Sequence, residues 1–143
     1  MRTRYGIVGD WLTRDWLARL SRPAPLGERG ERFAARLLRR RGHRVLLQGR
    51  RNRFGELDLV TIDERTPERR LVFVEVKTRR NTRAGAPSEA VTPEKQRRLT
   101  RAAQAFLRTH DLEDHPIRFD VVAIVWPIDR RRPTKVEHLV AAF

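Results

Sequence analysis

The segment Leu71-Val72-Phe73-Val74-Glu75-Val76-Lys77 constrains the fold of this 143-residue chain more than any other. In an extended strand side chains alternate in direction, and here both sets are apolar as far as Val74, so the strand must be covered on both faces. Ile117–Trp126 has the same character. Cover on two sides calls for helices in front of and behind a sheet, and the sequence supplies two. Residues 28–41 carry the stripe Phe33, Ala34, Leu37, Leu38 and stop at Gly42. Thr92 as N-cap and Pro93 at the first position open another helix, with Leu99, Ala102, Ala103, Phe106 and Leu107 on one face. Val45-Leu46-Leu47 and Leu57–Ile62 read as two earlier strands, 63–70 as a polar turn, 79–88 as a basic loop, and Val136–Val140 as a short last strand. The expectation is an α/β domain over residues 26–143, in α-β-β-β-α-β order, with a mixed central sheet flanked by helices.

Two charges at the end of that buried strand require explanation. Alternation sets Glu75 and Lys77 on the face of Leu71 and Phe73, where a partly buried ion costs several kcal/mol unless compensated. A Glu–Lys ion pair of modest value is one compensation. Asp58 suggests another. It lies in the strand Leu57–Ile62, and alternation places it with Val60 and Ile62. A hairpin around the polar turn then brings Asp58 and Glu75 to one open end. Two adjacent carboxylates repel unless a cation sits between them. Hard oxygen donors with neither Cys nor a nearby His favour Mg²⁺ or Mn²⁺ over zinc. Glu31 is a third acid. Glu28 has Arg32 at i+4 as an ion-pair partner, whereas Glu31 has Ala34, Ala35 and Leu38 and lies at the margin of the buried stripe. Either it joins the acids or it complements the helix dipole.

Charge points to the partner. Lys plus Arg number 32 against 18 Asp plus Glu, a net +14. Such an excess attracts polyanions, nucleic acid first and anionic membrane second. Of the basic residues only Lys77, Lys95 and Lys135 are lysine, so base composition of the genome also contributes. The absence of cysteine excludes disulfides and thiol chemistry and fits a reducing, cytoplasmic setting. No apolar run approaches the ~20 residues of a transmembrane helix. Residues 1–25 read as an amphipathic extension, with Trp11, Leu12, Trp16, Leu17 and Leu20 among arginines, suited to docking on a partner, a membrane surface or the domain behind it. It lacks the h-region of a signal peptide. His43 and His138 stand alone, and Asp120 is expected to pair with an arginine. There is no phosphate-binding glycine loop and no nucleophile elbow.

Gly27-x-x-Gly30-Glu31, Gly55-Glu56-Leu57-Asp58, Val72-Phe73-Val74-Glu75-Val76-Lys77, Lys95 and Arg118-Phe119-Asp120 occur in order with fitting spacing. Together they resemble the YraN family, within the PD-(D/E)xK restriction-endonuclease-like superfamily, and are similar to archaeal Holliday-junction resolvases over about residues 27–126. Leu57 stands where the superfamily has proline. The resemblance implies a metal-dependent endonuclease acting on branched or structured DNA, with RNA left open and a homodimer suited to work on two strands. The rival it leaves open is a non-catalytic nucleic-acid-binding module that keeps the fold. It implies that Asp58, Glu75 and the carbonyl of Val76 hold Mg²⁺ or Mn²⁺. Lys77 would position or deprotonate the attacking water, and Glu31 would complete the site through a metal-bound water. Arg51, Arg53, Arg79, Arg80, Arg83 and Lys95 would contact the nucleic-acid backbone.

Overall fold

A computed structural model describes residues 24–52, 55–83, 85–86, 89 and 91–143, with backbone alone at 50–52 and 55–56. The extension expected at 1–25 falls outside this span but for its last two residues. Helix α1 spans Leu26–Arg40. Three strands follow, β1 (His43–Asn52), β2 (Gly55–Asp63) and β3 (Arg70–Arg79). Then come α2 (Pro93–Thr109), β4 (Ile117–Val125) and β5 (Lys135–Leu139). The sheet order is β1-β2-β3-β4-β5. All neighbours are antiparallel except β3 and β4, which run parallel across the α2 connection. This is the mixed, helix-flanked α/β sheet of a restriction-endonuclease-like core.

The two faces of β3 carry separate cores. Leu71 and Phe73 pack with Leu99, Ala103 and Phe106 of α2, whereas Val72 and Val74 pack with Ala34, Ala35 and Leu38 of α1. Each fully buried side chain of this size contributes roughly 1.5–3 kcal/mol, which explains why β3 is apolar on both sides. The capping of α2 is as expected, the hydroxyl of Thr92 accepting the Lys95 N–H at 3.3 Å.

β1 is ten residues long, not three. Its register shifts between Val45 and Leu47, leaving Leu46 unpaired and 47% exposed. That extra residue breaks the two-residue period and hides the length of the strand. Asp63 is also not a turn residue. It ends β2, fully buried, within a polar network at the lower end of the α1 face. Arg65 holds both oxygens of Asp63 at 2.8 Å. Arg118 joins Asp63 (3.2 Å) to the buried Asp120 (2.8 and 3.0 Å). His138 Nε2 lies 2.8 Å from Asp120, and His43 Nδ1 lies 2.9 Å from the Thr61 hydroxyl. His43 and His138 are thus members of one buried network, not isolated residues.

At the opposite end α1 approaches β3 closely because Gly30 faces Thr78. A Cβ at Gly30 would lie 1.8 Å from Thr78 Oγ1 and 2.9 Å from Thr78 Cβ. Alanine gains about 1 kcal/mol of helix propensity over glycine, but overpacking at such a contact costs about 1–3 kcal/mol. Gly30→Ala should therefore lower the thermal unfolding midpoint, and adding Thr78→Ala should recover part of the loss. An unchanged midpoint would mean that the helix moves away without cost.

Candidate active site

The β2–β3 ladder runs from Asp63↔Arg70 to Leu59↔Val74 and stops there. Leu57 and Leu59 have the same parity, yet Leu57 packs on the α2 side and Leu59 on the α1 side. Simple alternation therefore fails at Asp58, the residue between them. Oδ2 accepts the backbone N–H of Val76 at 2.8 Å, continuing the β2–β3 connection through a carboxylate. The same carboxyl lies within electrostatic reach of Glu75. Two carboxyl groups brought together favour a proton or a shared cation between them. Burial, followed by the charge of Glu75, pushes Asp58 up to about 7 against the opposing pull of the Val76 N–H.

Glu31 enters from α1. A Cβ at Gly49 of β1 would lie 2.4 Å from Glu31 Oε2, and Gly49 has φ +54°, a conformation that favours glycine. Gly49 thus leaves room for the acid. Burial raises the Glu31 pKa, with smaller contributions from Glu28 and Glu75, so Glu31 lies within electrostatic reach of the pair. Glu28 itself ion-pairs with Arg32, as its i+4 spacing predicts.

Glu75 is 4% exposed, and the ammonium of Lys95, in the first turn of α2, is ion-paired with its Oε1. Lys95, expected on the nucleic-acid backbone, here faces the acid cluster. Lys77 is half-buried and lines a cavity of about 420 Å³ on the α2 side of the sheet, with Arg79, Ala123, Val125 and Lys135 around it. Arg80 donates to the carbonyl of Trp126 at 3.4 Å, and Arg83 is exposed beyond β3. The side chain of Arg51 and the whole of Arg53 lie outside the described residues. Sequence reasoning missed Gly49 and the Lys95–Glu75 pair. No sequence signal marked the latter, because spacing does not say which strand end α2 crosses.

The donor chemistry fits a hard divalent cation. Two neighbouring carboxyl groups match Mg²⁺, which is bound through one or two carboxylates and keeps several waters. Among the described residues no three of His, Asp or Glu gather at metal-ligand spacing, so a third protein carboxylate is not supplied directly.

Because its folded pKa is raised above the ordinary value of 3.8, Asp58 contributes stability that is complete below about pH 4 and lost as pH rises through about 7. His43, whose pKa burial lowers, acts in the opposite direction over an overlapping range, so a variant is needed to isolate Asp58. Asparagine can still accept the Val76 N–H and can donate to Glu75. With EDTA present, Asp58→Asn should raise the unfolding midpoint at pH 8 by roughly 5–10 °C and leave it nearly unchanged at pH 4. Equal midpoints at pH 8 would show that the carboxylate pair carries no strain.

A model of the uncharacterised protein family UPF0102 matches residues 30–124. A UPF0102 protein of Rhodopirellula baltica is 45% identical over 136 residues, covering 95% of this chain and 80% of its own. One of Chlorobium phaeobacteroides is 42% identical over 124 residues, covering 85% of this chain and 95% of its own. One of Symbiobacterium thermophilum is 48% identical over 99 residues, covering 69% and 80%.

Proposed function

The chain belongs to UPF0102, the YraN family, and from that premise we propose that it is a Mg²⁺- or Mn²⁺-dependent endonuclease of branched or structured DNA. The observation that carries this reading is the Asp58 carboxyl bonded to the Val76 N–H, beside the buried Glu75 and one residue before Lys77. A divalent ion bound there supplies charge neutralisation of the scissile phosphate and lowers the pKa of the attacking water. The chain's own residues do the rest. Asp58, fixed by the Val76 N–H, and Glu75, fixed by β3, hold their oxygens toward one point. Lys77 presents an ammonium to the phosphate and orients the nucleophilic water. Glu31 holds a negative charge on the α1 side that accepts a proton from that water. Lys95 neutralises Glu75 until a cation or substrate displaces it. The basic residues around the site attract the phosphate backbone, as the net charge of +14 favours.

One observation favours a non-catalytic nucleic-acid-binding module instead. Glu75 is already neutralised by Lys95, an arrangement that serves a scaffold without any metal. Incubation of the purified protein with linear, flapped and four-way DNA, in Mg²⁺, Mn²⁺ or EDTA, separates the two. An endonuclease cuts a branched substrate only with the metal; a module binds all of them and cuts none. Neither reading involves spanning a bilayer, and no described helix is long and apolar enough to do so.

A further inference from the structure

On the α1 side of the sheet, away from the Lys77 cavity, a groove of about 630 Å³ runs between α1 and the β4–β5 connection. Its rim carries Arg36 and Arg40 of α1 and Arg131 and Arg132 of the connection, all exposed. None of the four has a carboxylate within ion-pair distance among the described residues. Its floor is apolar, with Phe33 half-buried and set edge-on to Trp126 at 5.8 Å. The guanidinium of Arg29 stands 4.2 Å over the Trp126 ring and adds positive charge at one end.

That end meets the end of β3. The backbone N–H of Trp126 donates to the Arg79 carbonyl at 2.7 Å, and Arg80 donates to the Trp126 carbonyl. The groove and the segment leaving β3 therefore share one backbone junction.

We propose that this groove is a binding track for a single nucleic-acid strand running from the acid cluster along α1. The assignment deepens the nucleic-acid reading above and rests on it. Four guanidinium groups without a carboxylate partner among the described residues, set over an apolar floor, match a strand whose phosphates meet the rim while its bases turn inward. A concave seat between a helix and a loop admits one strand, whereas a duplex touches only the rim. A membrane surface fits less well, because insertion needs protruding apolar side chains and Trp126 is only 6% exposed. A branched substrate would then place its unpaired strand on the α1 side.

The test is fluorescence anisotropy in EDTA, which removes cleavage from the readout, with labelled oligothymidine, duplex DNA and phosphatidylserine vesicles. The groove variant replaces Arg36, Arg40, Arg131 and Arg132 by alanine. A charge-matched control replaces Arg97, Arg98, Arg101 and Arg108, which are exposed on α2. Each phosphate contact on a single strand contributes roughly −0.7 to the log–log salt slope, so the groove variant should lose about 3 from the slope on oligothymidine. The control should lose less than 1, and the groove variant should lose less from the slope on duplex DNA than on oligothymidine. Equal losses in the two variants would overturn the groove and leave the endonuclease proposal standing. Loss confined to vesicles would reassign the groove to a membrane surface and overturn it too. Failure of the wild type to bind any nucleic acid would overturn both proposals.

Discussion

Replacing Arg118 by alanine should destabilise the domain by about 3–5 kcal/mol, the cost of removing one partner from a buried ion network. Arg118 is 11% exposed at its side chain and, among the described residues, is the cation that bridges Asp63 and Asp120, themselves 2% and 0% exposed. Its loss leaves Asp120 with His138 and the Ala141 N–H, and Asp63 with Arg65. Against a typical total of about 5–15 kcal/mol, that change brings the domain close to unfolding at ambient temperature. Arg118→Lys should recover only part, since an ammonium cannot grip two carboxylates through a planar fork. Hydrogen bonds from Arg65 hold Asp63 well below the usual carboxylate range, and hydrogen bonds from His138 and Arg118 together outweigh burial to lower Asp120 as well. Stability from these lowered groups is present above about pH 4 and lost as pH falls, so acid sensitivity should shrink in Arg118→Ala. Urea unfolding of the three proteins measures both effects. A loss below 1 kcal/mol would mean that water replaces the guanidinium.

This network shows where the sequence stops being legible. Its members lie on β1, β2, β4 and β5 and in the turn after β2, so most of their contacts join residues far apart in the chain. One local sign was available. Arg118 and Asp120 share a strand face with Val122 and Ile124, and two charges on a buried face two residues apart imply burial as a pair. The helices were readable because the stripe Leu99, Ala102, Ala103, Phe106, Leu107 maps onto one covered face, and every one of those residues is buried. The meeting of Asp58 with Glu75 was readable from hairpin arithmetic. The manner of meeting was not, since the strand turns at Asp58 and alternation assumes a regular ladder. Lys95 escaped for a related reason. Sequence spacing says nothing about which strand end a helix crosses, and only the packing of α2 on Phe73 brings its first turn to Glu75.

The largest effects are expected at the acid cluster. Glu75→Ala and Lys77→Ala should each lower metal-dependent cleavage at least a thousandfold, about 4 kcal/mol of transition-state stabilisation. Glu75 should matter through the ion it helps to hold, and Lys77 through the phosphate. Binding should separate from cleavage. Glu75→Ala removes a negative charge and frees Lys95, so DNA affinity in EDTA should hold or rise. Lys77→Ala removes one cation among 32 basic residues and should weaken binding only slightly.

The most direct measurement is single-turnover cleavage of a labelled four-way junction by excess wild-type protein in Mn²⁺, beside the same reaction in EDTA and with Glu75→Ala, each protein checked for folding by thermal unfolding. Cleavage by the wild type in Mn²⁺, absent in EDTA and absent with folded Glu75→Ala, is the expected result. Tight binding of linear, flapped and four-way DNA with no cleavage of any by the wild type in Mg²⁺ or Mn²⁺, or cleavage undiminished in folded Glu75→Ala, would contradict the assignment of Asp58, Glu75 and Lys77 to phosphodiester hydrolysis.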